Sequence, residues 1–337
     1  MVHGGLGGLG GLEGEGVVDG AATRDTVRPI SVRTQEVLVK IGMTLPVTEP
    51  GWTREVLLEW TQKVEEGPFS SLALGERICF PNPELMTTLG ACAVLTERVQ
   101  LVTTVLILSM HDPVLAAKQL ATVDMLSGGR LTVGVGTGGR DEDYRATGVS
   151  IDQKRIAVLE SHVETMRRVW RGEIVVPDTL RPVEPFPVRE GGPRLLSGAM
   201  GPKSTASAAK WADGISGMTM SASAKEVSAS FDLARSAWKK AGREDEPELN
   251  TALWFAIGEG ADEQMNTHLT RYFNWLDPES RHAMVAHAGF RGSAQEFRDL
   301  VASLSDTGAN ELLLIPTSID PNEVDRVVNA LGDEMHA

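Results

Sequence analysis

Cysteine is nearly absent: the 337 residues include two, Cys79 and Cys92, with no CxxC or zinc-type spacing between them. That argues against a disulfide framework or a cysteine-built metal site and fits a reducing compartment. Positive charge is also in short supply, with 32 Lys and Arg against 46 Asp and Glu, a net charge of −14. Nucleic-acid binders concentrate basic residues, so no nucleic-acid partner is expected, and an anionic membrane surface would repel the chain. Long hydrophobic runs are missing as well. The longest, residues 99–108, is too short and too β-branched to span a bilayer. The first residues lack the basic and apolar regions of a secretory signal, so a cytoplasmic protein is expected. The seven histidines form no H-E-x-x-H, and His282 and His287, five apart, do not share a helix face, so no metal is expected.

What is present is a globular composition, 42% hydrophobic and 23% charged. Residues 1–35 open with GGLGGLGG and are read as a disordered arm; residues 36–337 are read as one domain. The arm holds a formal G-x-G-x-x-G at Gly5, Gly7 and Gly10, but no strand precedes it and it carries no dinucleotide reading.

The stretch 99–148 is the best punctuated. An apolar strand (99–108) leads to Asp112-Pro113, a cap followed by proline at the first helical position. The helix runs to Leu126, Ser127-Gly128-Gly129-Arg130 stops it, and a second strand (131–136) opens into Gly136-Thr137-Gly138-Gly139-Arg140. Strand, helix and strand make a βαβ unit. On either side the same alternation recurs, with strands expected at 36–44, 71–76, 194–198, 213–218, 248–257 and 311–316. Thr53, Asn82-Pro83, Ser223 with Glu226 and Ser293 with Glu296 read as helix starts. Eight strands alternating with helices predict a (β/α)8 barrel with insertions, an open doubly wound sheet being the rival fold.

In such a barrel the site lies at the C-terminal ends of the strands, which gathers Thr44, Glu76, Arg77, residues 103–108, His111, Gly136–Arg140 and residues 198–204 around one mouth. Gly134, Gly136 and Gly139 again match G-x-G-x-x-G, but an acidic DEDYRATG follows where a Rossmann fold needs a long helix. Residues 197–204 follow a strand and open a helix, either as an anion site suited to a phosphate, with Lys203 and Ser204 alongside, or as an ordinary glycine-capped loop. Glu76 and Arg77 are either a rim ion pair or an acid with an electrostatic clamp; His111 is either a catalytic group or a loop residue steadying the Asp112 cap. No Ser/His/Asp or Cys/His set stands out, so a cofactor is expected to carry the chemistry.

The runs Thr96-Glu97-Arg98-Val99-Gln100-Leu101, Asp112-Pro113-Val114-Leu115-Ala116-Ala117-Lys118-Gln119 and Leu126-Ser127-Gly128-Gly129-Arg130-Leu131 resemble the bacterial luciferase-like flavin-dependent oxidoreductases. So do Ser71-Leu72-Ala73-Leu74-Gly75-Glu76, the helix ending Met166-Arg167-Arg168-Val169-Trp170, and Ala212-Asp213-Gly214. The resemblance implies a (β/α)8 barrel that binds reduced FMN, or alternatively coenzyme F420, at the strand C-termini. It implies that Thr103, Thr104 and Val105 form a bulge behind the ring, with a non-proline cis peptide between Thr104 and Val105. Gly136, Thr137 and Gly138 would border the cofactor, Thr44 would stand at the same mouth, and Gly198, Met200, Gly201 and Ser204 would hold the phosphate. Many relatives carry a histidine where this chain has Arg77, so Glu76, Arg77 and His111 are the catalytic candidates.

The expected activity is a monooxygenase using reduced FMN and O2 on a small organic substrate. F420-dependent hydride transfer is the alternative, and a flavin-binding barrel without turnover is a third reading. The expected partners are that substrate, a separate flavin or F420 reductase, and a second copy of the chain in a homodimer. The substrate pocket is expected to be lined by residues 172–193 and 262–287.

Overall fold

A computed structural model describes residues 31–34 and 37–332. Eight strands carry the fold: β1 (Val37–Thr44), β2 (Ser71–Leu74), β3 (Gln100–Leu106), β4 (Leu131–Val135), β5 (Arg194–Ser197), β6 (Gly214–Met218), β7 (Glu248–Ile257) and β8 (Glu311–Pro316). Each is parallel to the next, and β8 pairs with β1, so the sheet closes on itself as the expected (β/α)8 barrel. Closure leaves no barrel strand with an open edge.

Two short strands add to the eight. Phe290–Gly292 extends the end of β7, and Ser31–Thr34 pairs antiparallel with the start of β1. Residues 31–34, expected in the disordered arm, are thus a strand; residues 1–30 and 35 of that arm lie outside the described residues.

The barrel is small inside and large outside. Ala73, Val102, Ala252 and Leu313 form a compact interior cluster, whereas most buried apolar side chains lie between the strands and the surrounding helices. Below the interior cluster, Glu311 accepts hydrogen bonds from Ser70 Oγ at 2.5 Å and Ser71 Oγ at 2.7 Å. Burial raises the Glu311 pKa despite those bonds.

Most helix starts follow the expected chemistry. Thr53 caps Arg54–Glu66, Asp112 caps Pro113–Leu126 with its carboxylate on the Val114 and Leu115 N–H groups, and Ser293 and Glu296 form a reciprocal capping box. Two differ. Helix Leu85–Leu95 is capped by Glu84, whose carboxylate takes the N–H groups of Met86 and Thr87, while Asn82 bonds the carbonyl of Arg77. The Ser223 hydroxyl makes no cap bond to helix Ala224–Lys240, because Glu226 turns back onto the N–H groups of Met220 and Ser221 and the hydroxyl of Thr219. The segment 262–287 holds two helices, Ala261–Tyr272 and Pro278–His287, separated where Asp277 caps the second ahead of its proline. No helix among the described residues is long and apolar enough to cross a membrane.

Candidate active site

β3 sets the floor. Its register to β4 runs Thr103↔Val133 and resumes at Leu106↔Val135, so β3 holds one more residue than its partner across that interval, a bulge at Thr104 and Val105. The Thr104–Val105 peptide is cis, where the resemblance had put it. The neighbouring strand ends leave the bulge uncrowded because they carry glycine. A Cβ on Gly136 would stand 2.8 Å from Val105 Cγ2, one on Gly198 3.0 Å from Val105 Cγ1, and one on Gly75 3.0 Å from the Thr104 carbonyl oxygen. Alanine at those points would push into the bulge.

Above this floor is a cleft of about 520 Å³. Among its lining residues are Thr44, Glu76, Arg77, Thr104, Val105, Gly136, Thr137, Gly138, Gly198, Met200, Gly201 and Ser204. Thr103 and His111, named with them from the sequence, are not on that surface. Thr103 is fully buried, with Oγ1 donating to the Gly134 carbonyl at 2.7 Å, because strand alternation turns it away from the face that its neighbour occupies. His111 stands one layer back, behind Glu76.

Glu76 is tied down at both oxygens. Oε2 accepts the Ile107 N–H at 2.6 Å, and Oε1 lies 2.8 Å from His111 Nε2. Burial alone would lower the His111 pKa, but the hydrogen bond and charge of Glu76, with the charge of Glu84, outweigh it and the net shift is upward. Glu76 and His111 therefore make a hydrogen-bonded pair that favours the protonated ring, with the Glu76 carboxylate edge meeting the cleft.

Arg77 belongs to a different network. Its Nε donates to Asp143 at 2.6 Å and a terminal nitrogen to Glu142 at 2.8 Å, while Asp143 also receives the N–H groups of Ile78 and Cys79. The acceptors come from helix Asp141–Ala146, a short helix in the acidic stretch that follows the glycine loop; its first turn carries three acidic residues. Arg77 thus pins that helix to the end of β2. Its other terminal nitrogen is buried without a hydrogen-bond partner.

At the β5 end, Ser204 Oγ accepts the Gly201 N–H at 3.2 Å and lies 2.9 Å from the Gly201 carbonyl. The loop is thereby folded into a tight turn at the start of helix Pro202–Ala208. Lys203, expected to add positive charge here, is exposed and does not line the cleft.

The outer wall matches the sequence expectation in part. A second cavity of about 590 Å³ adjoins the first, sharing Arg140, Met200, Met218, Trp254 and Tyr272 with it. Its remaining walls come from Met220 and from residues 273–284, as expected for the 262–287 segment. Residues 172–193 line neither cavity. They lie outside the barrel, where Lys118 donates to the Glu184 carbonyl and Asp124 accepts the Val188 N–H.

Trp254 packs edge-on to Tyr272 and Phe273, with ring centroids 5.0 and 5.8 Å apart. Behind them, Glu49 Oε1 meets both His268 Nδ1, at 2.5 Å, and the guanidinium of Arg271, binding helix Ala261–Tyr272 to the loop after β1. Burial lowers the His268 pKa, and Arg271 adds to that against the opposing pull of Glu49. The clue to this wall was Trp254 near the C-terminal end of β7, since strand ends are where a barrel presents its ligand-facing side chains.

The sequence profile of the family described as luciferase-like monooxygenase matches residues 40–325. Among curated proteins, the pyrimidine monooxygenase RutA of Escherichia coli K12 is 28% identical over 160 residues, 40% of this chain and 42% of that protein. The matched segments span less than half the length of the curated relatives. Among solved structures, an F420-dependent secondary alcohol dehydrogenase in complex with an F420–acetone adduct superposes with a TM-score of 0.71 at 18% identity, covering 88% of this chain and 99% of that one. The oxygenating constituent of 3,6-diketocamphane monooxygenase of Pseudomonas putida, in complex with FMN, gives 0.65 at 13% identity, covering 88% and 98%.

Proposed function

Because the chain belongs to the luciferase-like monooxygenase family, we propose that it is a flavin-dependent monooxygenase using reduced FMN and O2 on a small organic substrate. The observation that carries the reading is a single cleft with its floor at Thr104–Val105, kept uncrowded by glycines, and its other end at the Gly198–Ser204 turn that opens helix Pro202–Ala208. That combination fits a flat ring with an anionic tail. Thr104 and Val105 would back the ring, Gly136, Thr137 and Gly138 would border it, and Gly201 and Ser204 would hold the phosphate. A reduced flavin held there would supply two electrons and the substrate two more, so that one atom of O2 would enter the substrate and the other would leave as water.

The chain's own contribution is positioning and proton supply. Glu76 presents a fixed carboxylate edge to the cleft, and His111, its pKa raised, keeps a proton on the far side of that carboxylate. The aromatic wall at Trp254 and Tyr272 keeps water from the reacting end. Arg77, spent on Glu142 and Asp143, is a positioning residue in this scheme.

The F420 held by one solved neighbour of the same fold supports a second reading, hydride transfer to or from F420 in the same cleft. Either reading calls for a separate reductase to renew the cofactor. Exposed Val94, Leu95, Leu115, Met125 and Leu126, on two adjacent helices, support pairing with a second copy.

Titrating the protein with FMN, reduced FMN and F420 under anaerobic conditions tests the reading. Saturable binding of reduced FMN and its faster oxidation in air when a substrate is added support it. Saturable binding of F420 alone selects the second reading, and binding without any substrate-dependent turnover points to a carrier.

A further inference from the structure

We infer that the second cavity is the substrate chamber and that it takes an organic acid: an apolar body with one carboxylate, read by Arg140. The inference rests on the oxidoreductase reading, since it supplies the substrate class for that cleft.

The body of the ligand follows from the walls. Met200, Met218, Met220 and Met284 line the chamber with Trp254 and Phe273, while Arg140 and Ser280 are the residues there with aliphatic polar side chains. Methionine is flexible and polarizable and adapts to apolar shapes, whereas a heterocycle with several donors and acceptors would leave most of them unpaired. A hydrocarbon portion fits; a pyrimidine, the substrate in the name of the E. coli relative, does not.

The single charge follows from an unequal pairing. Two arginines, Arg77 and Arg140, stand beside two carboxylates, Glu142 and Asp143, and Arg77 takes both. Arg140 has no ion-pair partner among the described residues, yet it lines both cavities. Its guanidinium lies 3.8 Å from the Trp275 ring centroid and 5.5 Å from that of Tyr272, which fixes its plane at the junction of the two chambers. Guanidinium presents paired N–H donors that match a carboxylate. A partly desolvated cation in no ion pair of its own, its neighbouring carboxylate Asp143 already held by Arg77, stands at the entrance to an apolar chamber and selects an anion with a hydrocarbon tail.

The test is calorimetric titration of the full chain with octanoate, octanamide, 1-octanol and uracil, with FMN and F420 titrated separately. Octanoate is expected to bind at least tenfold more tightly than octanamide. Arg140→Gln should bring octanoate down to the level of octanamide while leaving 1-octanol within about twofold. Ala283→Trp, which fills the chamber, should weaken all three alkyl compounds at least tenfold and leave cofactor affinity unchanged. Equal affinity for octanoate and octanamide, a preference that survives Arg140→Gln, or tighter binding of uracil would overturn the inference. Cofactor binding without octanoate binding also overturns it and leaves the oxidoreductase reading standing; octanoate binding without either cofactor does the reverse.

Discussion

The floor of the cleft comes from four adjacent barrel strands and its outer wall from helices inserted after β7, and each side carries one histidine hydrogen-bonded to one glutamate. The two pairs share chemistry and differ in surroundings. His111 keeps some solvent exposure and has a second carboxylate, Glu84, nearby, so its pKa rises. His268 is fully buried, and the same oxygen of Glu49 that it meets is shared with Arg271, so its pKa falls. A histidine–glutamate contact is therefore not one device. At the floor the surroundings favour the protonated ring beside the cleft; in the outer wall they favour the neutral ring, which braces a helix.

The contrast between a cofactor floor and a substrate wall is broken most forcefully by filling one side. Thr104→Trp should weaken FMN or F420 binding about a hundredfold, about 2.8 kcal/mol, with unfolding temperature retained. Ala283→Trp should leave cofactor binding within about twofold, and equal losses for the two variants would erase the distinction. Removing the carboxylate at the floor comes next. Glu76→Ala strands the Ile107 N–H and His111, and should cost about 2 kcal/mol in denaturant unfolding; a cost near zero would mean that the pair is not formed.

The two histidines should then separate by pH, each by at most about 1.4 kcal/mol per pH unit for one proton. His111 has a folded pKa above the ordinary 6.5, so its stabilisation is complete below 6.5 and is lost as pH rises through the folded value. The gap between wild type and His111→Asn should narrow from pH 6 to pH 9. His268 has a folded pKa below 6.5, so stability falls as pH drops under 6.5 and the unfolded chain takes up a proton that the folded chain refuses. His268→Asn should remove that acid-side loss, and stability curves with the opposite signs would contradict the assignment. The smallest effect belongs to Lys203→Ala, expected to change stability and cofactor affinity by less than about 0.5 kcal/mol, because Lys203 faces solvent.

The floor was far more legible in the sequence than the wall. β3 and β4, Asp112-Pro113 and the Gly136–Arg140 loop announce themselves through local chemistry: β-branched runs, a cap followed by proline, and glycines where strands end. The departures came from competition between neighbours. Glu84 outbid Asn82 as a cap because a carboxylate two residues on reaches two N–H groups at once, and Glu226 left its capping box for the Thr219–Ser221 turn. Arg77 looked available for chemistry until a short acidic helix 65 residues downstream claimed it. The wall depends on partners far apart in sequence: Glu49 and His268, 219 residues apart, reveal nothing of their contact locally. The pairing of Trp254 with Tyr272, and of Arg140 with Trp275, is likewise tertiary, which is why the sequence names the 262–287 segment of the wall but not its side-chain contacts.

A crystal structure of the chain soaked with FMN and, separately, with F420 tests the central claim most directly. The account predicts the ring within about 4 Å of Thr104 and Val105 and its phosphate within hydrogen-bond reach of Gly201 and Ser204. A ring seated in the methionine-lined chamber, or a phosphate held away from the β5 loop, would contradict it.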